Sequence, residues 1–215
     1  MDLYYHPLSR YSQKVLIALY EKQANFYPRI IELSDPLARQ DYRKLSPTGK
    51  LPLLRYQHNQ LYPESTIIIE FLDNTFPNNT QLLLREQPNN LATRLWDRLV
   101  DFELNEGLCL YDKHSNTNNQ LEQQAQLRNI RLFLLRLEQQ LTTHYWLCGD
   151  SLSLADCALI PCIHHPLILN EIRDLEHLSR YRQQSLVRGA WMLVSDEIEQ
   201  ARSAHAAGLA IPPLN

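Results

Sequence analysis

Leu3-Tyr4-Tyr5 is a short β-prone run that stops at His6-Pro7, because the residue before a proline is held out of the helical region. From Tyr11 the apolar residues Val15, Leu16, Leu19 and Tyr20 recur at helical spacing and end in the polar Glu21-Lys22-Gln23, which predicts a first helix capped by Ser9 or a close neighbour. Residues 27–33 predict a second strand, whereas residues 36–45 are polar with weak periodicity and stay unassigned between helix and loop. Residues 50–56 read as a strand, Gln57-His58-Asn59-Gln60 as a hairpin turn with Asn59 accepting positive φ, and Leu61-Tyr62 as the partner strand. After Pro63, residues 65–76 place Ile68, Leu72 and Phe76 on one helical face. The order β-α-β-(α)-β-β-α predicts an α/β layer structure for the first eighty residues or so.

Residues 78–90 are polar and rich in asparagine and proline, which suits a linker and sets a domain boundary near residue 80. Beyond it the pattern turns helical. Residues 91–110 carry Leu95, Leu99, Phe102 and Glu106 at spacings of three or four, and residues 121–141 carry Leu127, Ile130, Leu134, Leu137 and Leu141 on one stripe. Between them, residues 112–119 read as a hydrophilic, mobile connection. Ser153 with Asp156 three residues on forms a capping box, with Leu152 placed to staple onto Cys157. The helix that follows is apolar almost all round and is expected to be the central buried one. Trp96, Trp146 and Trp191 read as core residues, and His164-His165 as a polar core pair.

Composition adds exclusions. With 21 basic against 24 acidic side chains the formal net charge is -3, so the chain is not a polycation and a nucleic-acid partner is not expected. Glycine is scarce, 5 residues where average usage of roughly 7% would give about 15, which favours helices over a many-turned barrel. No apolar run approaches the ~18 residues of a membrane span. The N-terminus lacks a basic stretch followed by an apolar one, and Cys109, Cys148, Cys157 and Cys162 show no C-x-x-C spacing, so the expectation is a reduced, cytoplasmic protein with no membrane partner.

Two further patterns could carry chemistry. Leu51-Pro52 interrupts a regular strand; proline cannot donate to a ladder, and a cis peptide there would offer the Leu51 amide and carbonyl to an extended peptide ligand. Read from the residues alone, an edge-strand proline is the better reading. Glu64-Ser65 stands at the start of a helix whose first amides are unpaired and partly positive. Such a terminus can hold a carboxylate while Glu64 holds an adjacent ammonium, the signature of an α-amino acid end; on the residues alone it is also a plain helix cap.

Taken in order, Tyr4-Tyr5 with Ser9-Arg10-Tyr11-Ser12-Gln13-Lys14-Val15, Gly49-Lys50-Leu51-Pro52-Leu53-Leu54, Pro63-Glu64-Ser65 with Ile68, and Ser153-Leu154-Ala155-Asp156 resemble the cytosolic glutathione transferase family across nearly the whole chain. The resemblance is to the serine-type, bacterial-like members. It implies an α/β thioredoxin-like glutathione-binding domain over residues 1–78, an all-α helical domain over residues 88–215 completing the electrophile pocket, and a homodimer built on the helix of residues 91–110. It also implies glutathione as co-substrate, a small electrophilic substrate, and no metal. Position by position, Ser9 matches the serine that activates glutathione, with Arg10 where the family commonly has proline; Ser12 and Tyr5 remain alternative hydroxyls. Leu51, ahead of Pro52, matches the residue whose backbone pairs with the cysteinyl part, Lys50 and Arg39 are possible carboxylate contacts, and Glu64 and Ser65 match the pair that holds the γ-glutamyl end. Redox-type relatives place a cysteine where Ser9 stands, and no cysteine occurs in residues 1–108, which disfavours thiol-disulfide chemistry through a protein nucleophile. Two other readings stay open: a catalytically weak relative serving as a binding or regulatory subunit, and a glutathione-dependent isomerase or dehalogenase.

Overall fold

The computed structural model of the chain describes residues 1–77, 80–83, 89–117, 119–209 and 211. Much of the linker expected over residues 78–90 lies outside them. Two compact units are present: Met1–Thr80 with Gly189–Asn215, and Gln81–Arg188.

In the first unit β1 (Asp2–Tyr5), α1 (Arg10–Glu21), β2 (Tyr27–Ile30), α2 (Pro36–Leu45), β3 (Leu53–Tyr56), β4 (Gln60–Pro63) and α3 (Ser65–Thr75) follow one another. The sheet runs β2-β1-β3-β4. The α1 crossover makes β1 and β2 parallel, while β3 is antiparallel to both β1 and β4. Strand β2 is shorter than the sequence suggests and lies at an edge, where Pro28 costs no central ladder bond. Pairing in β3 likewise starts only after Pro52, whose peptide bond to Leu51 is cis. Both His58 and Asn59 adopt positive φ in the single turn of tight helix at Gln57–Asn59. Leu3, Leu16, Leu53, Leu54, Ile68 and Leu72 fill the core between sheet and helices.

The unassigned stretch is helix α2. Asp35 caps it by accepting from the Leu37 amide at 2.8 Å, Pro36 starts it, and Tyr42 is its one buried residue, so there was little apolar periodicity to see. The Tyr42 hydroxyl donates to the Lys50 carbonyl at 2.8 Å. Helix α1 is buried along Ser12–Leu19, and the last helix packs on it as well as α3 does. This accounts for the grouping of residues 189–215 with the first unit.

The second unit contains α4 (Asn89–Leu99), a π-helical turn (Val100–Asn105), α5 (Glu106–Asn116), α6 (Gln120–Gln140), α7 (Leu154–Ile163), α8 (Pro166–Glu171) and α9 (Glu176–Leu186), and α10 (Gly189–Ala206) closes the first. The stripe on α6 is core as expected: Ile130, Leu134, Leu137 and Leu141 are buried. Helix α7 is buried throughout, and its capping box is formed. Asp156 accepts from the Leu147 amide and the Tyr181 hydroxyl, both at 2.9 Å, and from the amide and hydroxyl of Ser153 at 2.8 and 2.7 Å.

Three expectations are corrected. In residues 91–110 the core face is Trp96, Val100, Leu104 and Leu108 together with Thr93, Asp97, Asp101 and Asn105, whereas Leu95 and Phe102 are exposed. The π turn widens the helix and shifts its faces, and the buried polar positions hide the core side from a hydrophobicity count. Residues 112–116, expected in a mobile connection, continue α5; residue 118 lies outside the described residues. His165 is not half of a core pair: its Nδ1 accepts from the Leu167 amide at 3.3 Å and caps α8, while His164 meets the Ser185 hydroxyl at 2.9 Å.

Candidate functional site

The register brings three separate segments to one end of the sheet. Tyr4 pairs with Leu53, and Leu53 with Pro63, so one row joins the last residues of β1, the first of β3 and the last of β4. Past this row β1 leads through a loop to Ser9 and α1, β4 leads at once to Glu64 and Ser65 of α3, and Leu51-Pro52 enters β3. The starts of α1 and α3 therefore lie at the same sheet end. A buried Lys14 Nζ on α1 donates to the Thr66 hydroxyl on α3 at 3.0 Å, tying the two helix starts together and placing a cation between them.

Ser9 is the N-cap residue of α1, at φ -85° and ψ 118°, yet its hydroxyl makes no capping bond. Its carbonyl accepts from the Ser12 and Gln13 amides, both at 2.9 Å, and its amide donates to the His6 carbonyl at 3.0 Å. The half-buried hydroxyl thus stands at the positive end of a helix dipole with no first-turn amide to serve.

The alternative hydroxyls have other partners. Ser12 is fully buried, and its Oγ accepts from the His6 amide at 3.3 Å. Tyr5 is fully buried too, and donates to Glu197 Oε2 on α10 at 3.1 Å; Tyr20 donates to the other oxygen of that carboxylate. Burial, reinforced by the Glu197 charge, raises the Tyr5 hydroxyl well above the ordinary phenol range. Burial also pushes the Glu197 carboxyl upward, against the two phenol donors. Replacing Tyr5 with Phe is expected to cost about 1–2 kcal/mol of stability while turnover stays within about threefold, since the phenol serves α10. Chemical denaturation beside steady-state kinetics checks both halves.

Sequence reasoning missed the residues that shape the Ser9 loop. His6 Nδ1 accepts from the Leu8 amide at 3.2 Å, and its Nε2 lies 3.3 Å from Glu32 Oε2. Glu32 in turn accepts from the Ser34 hydroxyl and amide at 2.7 and 3.0 Å, and these bonds, the Ser34 hydroxyl first, hold its carboxyl below the usual range despite partial burial. The side-chain-to-amide bond two residues on imitates an Asx turn, but a histidine before a proline signals only that the strand stops.

At the other two segments, Gly49 adopts φ +63° ahead of Lys50, and a Cβ there would stand 3.1 Å from Arg43 Nε. Leu51 precedes the paired part of β3, its carbonyl leading into the cis bond to Pro52. Glu64 holds φ +70° and ψ 121°, a strained position for a non-glycine residue costing on the order of 1–3 kcal/mol. Its side chain is exposed and makes no capping bond, while Ser65 behind it is buried at the first turn of α3. Strain of this kind persists only where the surrounding structure fixes it, and it clusters at ligand sites. Lys50 is exposed beside this loop, and Arg39 is exposed on α2. The sheet end therefore assembles Ser9, Leu51, Pro52, Glu64 and Ser65 from three segments; Lys50 adjoins them through the chain, and among the described residues no hydrogen bond or ion pair links Arg39 to them.

Chemically, the arrangement can receive an extended peptide with a carboxylate and an ammonium at one end. The two helix starts supply partial positive charge, Leu51 a backbone donor and acceptor, and Glu64 a carboxylate for an ammonium.

The chain matches the family model described as glutathione S-transferase, N-terminal domain, over residues 3–80, and that described as glutathione S-transferase, C-terminal domain, over residues 99–186. It is 27% identical over 176 residues to the glutathione S-transferase-like protein LUC7 of a Fusarium species, covering 75% of this chain and 73% of that one. It is 24% identical over 167 residues to glutathione S-transferase GstA of Escherichia coli O157:H7, covering 76% and 78%. A solved glutathione S-transferase of Methylobacillus flagellatus KT with glutathione bound shares the fold, with a TM-score of 0.81 at 22% identity over 90% of this chain and 98% of that one.

Proposed function

The chain belongs to the glutathione S-transferase family, and from that premise we propose that it binds glutathione at the sheet end described above, stabilises its thiolate with the Ser9 hydroxyl and conjugates it to a small electrophile. The observation that carries the serine assignment is the Ser9 hydroxyl itself, which stands at the start of α1 without serving it. In this reading Leu51 pairs through its backbone with the cysteinyl residue, Ser65 and the first amides of α3 receive the γ-glutamyl carboxylate, and Glu64 receives its ammonium. Lys50 is offered to the glycyl carboxylate, and Arg39 is a more distant candidate for the same end. A cysteine thiol has an ordinary pKa of about 8.5 and is mostly protonated at neutral pH; a donated hydroxyl bond and a helix N-terminus both favour the anion. Turnover of glutathione with an activated aromatic halide tests the reaction. Tight binding without turnover across a broad panel of electrophiles would favour a binding or regulatory subunit instead.

Glu64→Ala is expected to raise KM for glutathione about 10-fold with kcat changed much less, because an exposed carboxylate that holds the ammonium contributes equally before and at the transition state. Initial rates at varied glutathione check this, and an unchanged KM removes Glu64 from the site.

We further propose a cytoplasmic homodimer. The outward face of α4 and the π turn presents Leu91, Leu95 and Phe102, 65%, 51% and 53% exposed, an apolar row that a second copy would cover. Light scattering at micromolar concentration should give twice the 25.2 kDa of one chain. Replacing Leu95 and Phe102 together with Asp should return the monomer mass, and a monomer mass for the unaltered protein refutes the dimer.

A further inference from the structure

Helices α8 and α9 border a cleft of about 310 Å³, open on one side to solvent and lined by Leu169, Ile172, Arg173, Ser179, Arg182 and Gln183. Its polar side follows from helical spacing, since Ser179, Arg182 and Gln183 fall on one face of α9. Leu169 and Ile172, from α8 and its C-cap, form an apolar wall. No carboxylate lines the cleft, although two guanidinium groups do.

Those two cations differ in what they hold. Arg173 is exposed and donates to Asn170 Oδ1 at 3.2 Å. Arg182 Nε is buried and has no acceptor among the described residues. Nε itself has almost no accessible surface, so an anion in the cleft would meet the terminal nitrogens of the guanidinium, which share its delocalised and permanent charge. Among the described residues no carboxylate stands within ion-pair distance of it. Ser179 directs its hydroxyl to the Ile172 carbonyl at 2.9 Å, and His164, which Arg182 faces from α9, is pushed down to about 4 by burial and then by the Arg182 charge, so it stays neutral at pH 7.

We propose that this cleft binds a small organic anion, a carboxylate carried on a short apolar body, with the Arg182 guanidinium on the carboxylate, Arg173 at the rim and the body against Leu169 and Ile172. The planar fork of an arginine matches a carboxylate with two parallel bonds. The volume lies at the lower end for small-molecule sites and suits a ligand of this size. The apolar wall selects an organic anion over inorganic phosphate, which would leave Leu169 and Ile172 uncovered.

Titration of the full chain with hexanoate, with 1-hexanol and with inorganic phosphate, followed by calorimetry in the presence of saturating glutathione, tests the site. Hexanoate should bind saturably, at least about 10-fold more tightly than hexanol, and should not be displaced by glutathione. Arg182→Met should weaken it by about 10- to 100-fold, the range of one lost charge-assisted bond. Arg173→Ala, an exposed change that leaves the fold intact, should weaken it by about threefold or more and supports the site independently should Arg182→Met fail to fold. Hexanoate binding no more tightly than hexanol, binding unaffected by either substitution, displacement by glutathione, or tighter binding of phosphate than of hexanoate would each overturn the proposal.

Discussion

Ser9→Ala should lower kcat by about 10- to 1000-fold while leaving glutathione affinity nearly intact, the pattern of a donor that acts on developing or held negative charge rather than on ground-state binding. Ser9 sits at the N-terminus of α1 with its hydroxyl free of capping duty, so its removal costs the helix little and the measurement reads chemistry. Ser12→Ala is the contrasting case. Its buried Oγ holds the His6 amide in the loop between β1 and α1, and its loss should act through stability and loop shape. Ser9→Cys is sharper still. A cysteine at a helix N-terminus has a depressed pKa, and its thiolate attacks one sulfur of glutathione disulfide, forming the mixed disulfide and releasing glutathione as the thiolate. That variant should lose conjugation and gain a glutathione adduct visible by intact mass. Full activity in Ser9→Ala with abolition in Ser12→Ala or Tyr5→Phe would move the catalytic role to another hydroxyl.

The largest effect on stability is expected at Asp156. Its carboxylate is fully buried and satisfies two backbone amides and two hydroxyls, so Asp156→Ala orphans four donors at once and removes the cap of the central helix α7. Each orphaned buried donor costs about 1–3 kcal/mol before relaxation, and breaking such a centre typically costs about 3–5 kcal/mol in total. For a chain of this size that lowers Tm by about 6–20 °C. Asp156→Asn keeps the acceptor for Leu147 and Tyr181 but turns a donor toward Ser153, so it should fall between wild type and Asp156→Ala. Scanning calorimetry checks the order, and a Tm within about 2 °C of wild type for Asp156→Ala would contradict it.

What the sequence conveys of this architecture follows from which interactions are local. The capping box, the α6 stripe and the order of strands and helices in the first unit depend on residues close in sequence or on one periodicity, and they can be read directly. Helix α2 was unreadable because a single side chain, Tyr42, packs. The core face of α4 and the π turn was misread because half of it is Thr93, Asp97, Asp101 and Asn105, while leucines occupy the outside. The packing of α10 on β1 and α1 rests in part on Tyr5 and Tyr20 meeting Glu197, contacts nearly the full chain apart that no pattern announces. The same division holds at the site. The order of Ser9, Leu51-Pro52 and Glu64-Ser65 along the chain carries the family resemblance, but which hydroxyl is available depends on tertiary partners: His6 for Ser12 and Glu197 for Tyr5.

At this site glutathione is expected to be held as its thiolate. The most direct measurement is the ultraviolet absorbance of the thiolate during a pH titration of the protein with bound glutathione, set against free glutathione and the Ser9→Ala complex. A bound thiol titrating at least about one unit below the free value of about 8.5, and returning most of the way to it in Ser9→Ala, is the predicted result. A bound thiol that titrates where free glutathione does, or a protein that takes up no glutathione, would contradict the account.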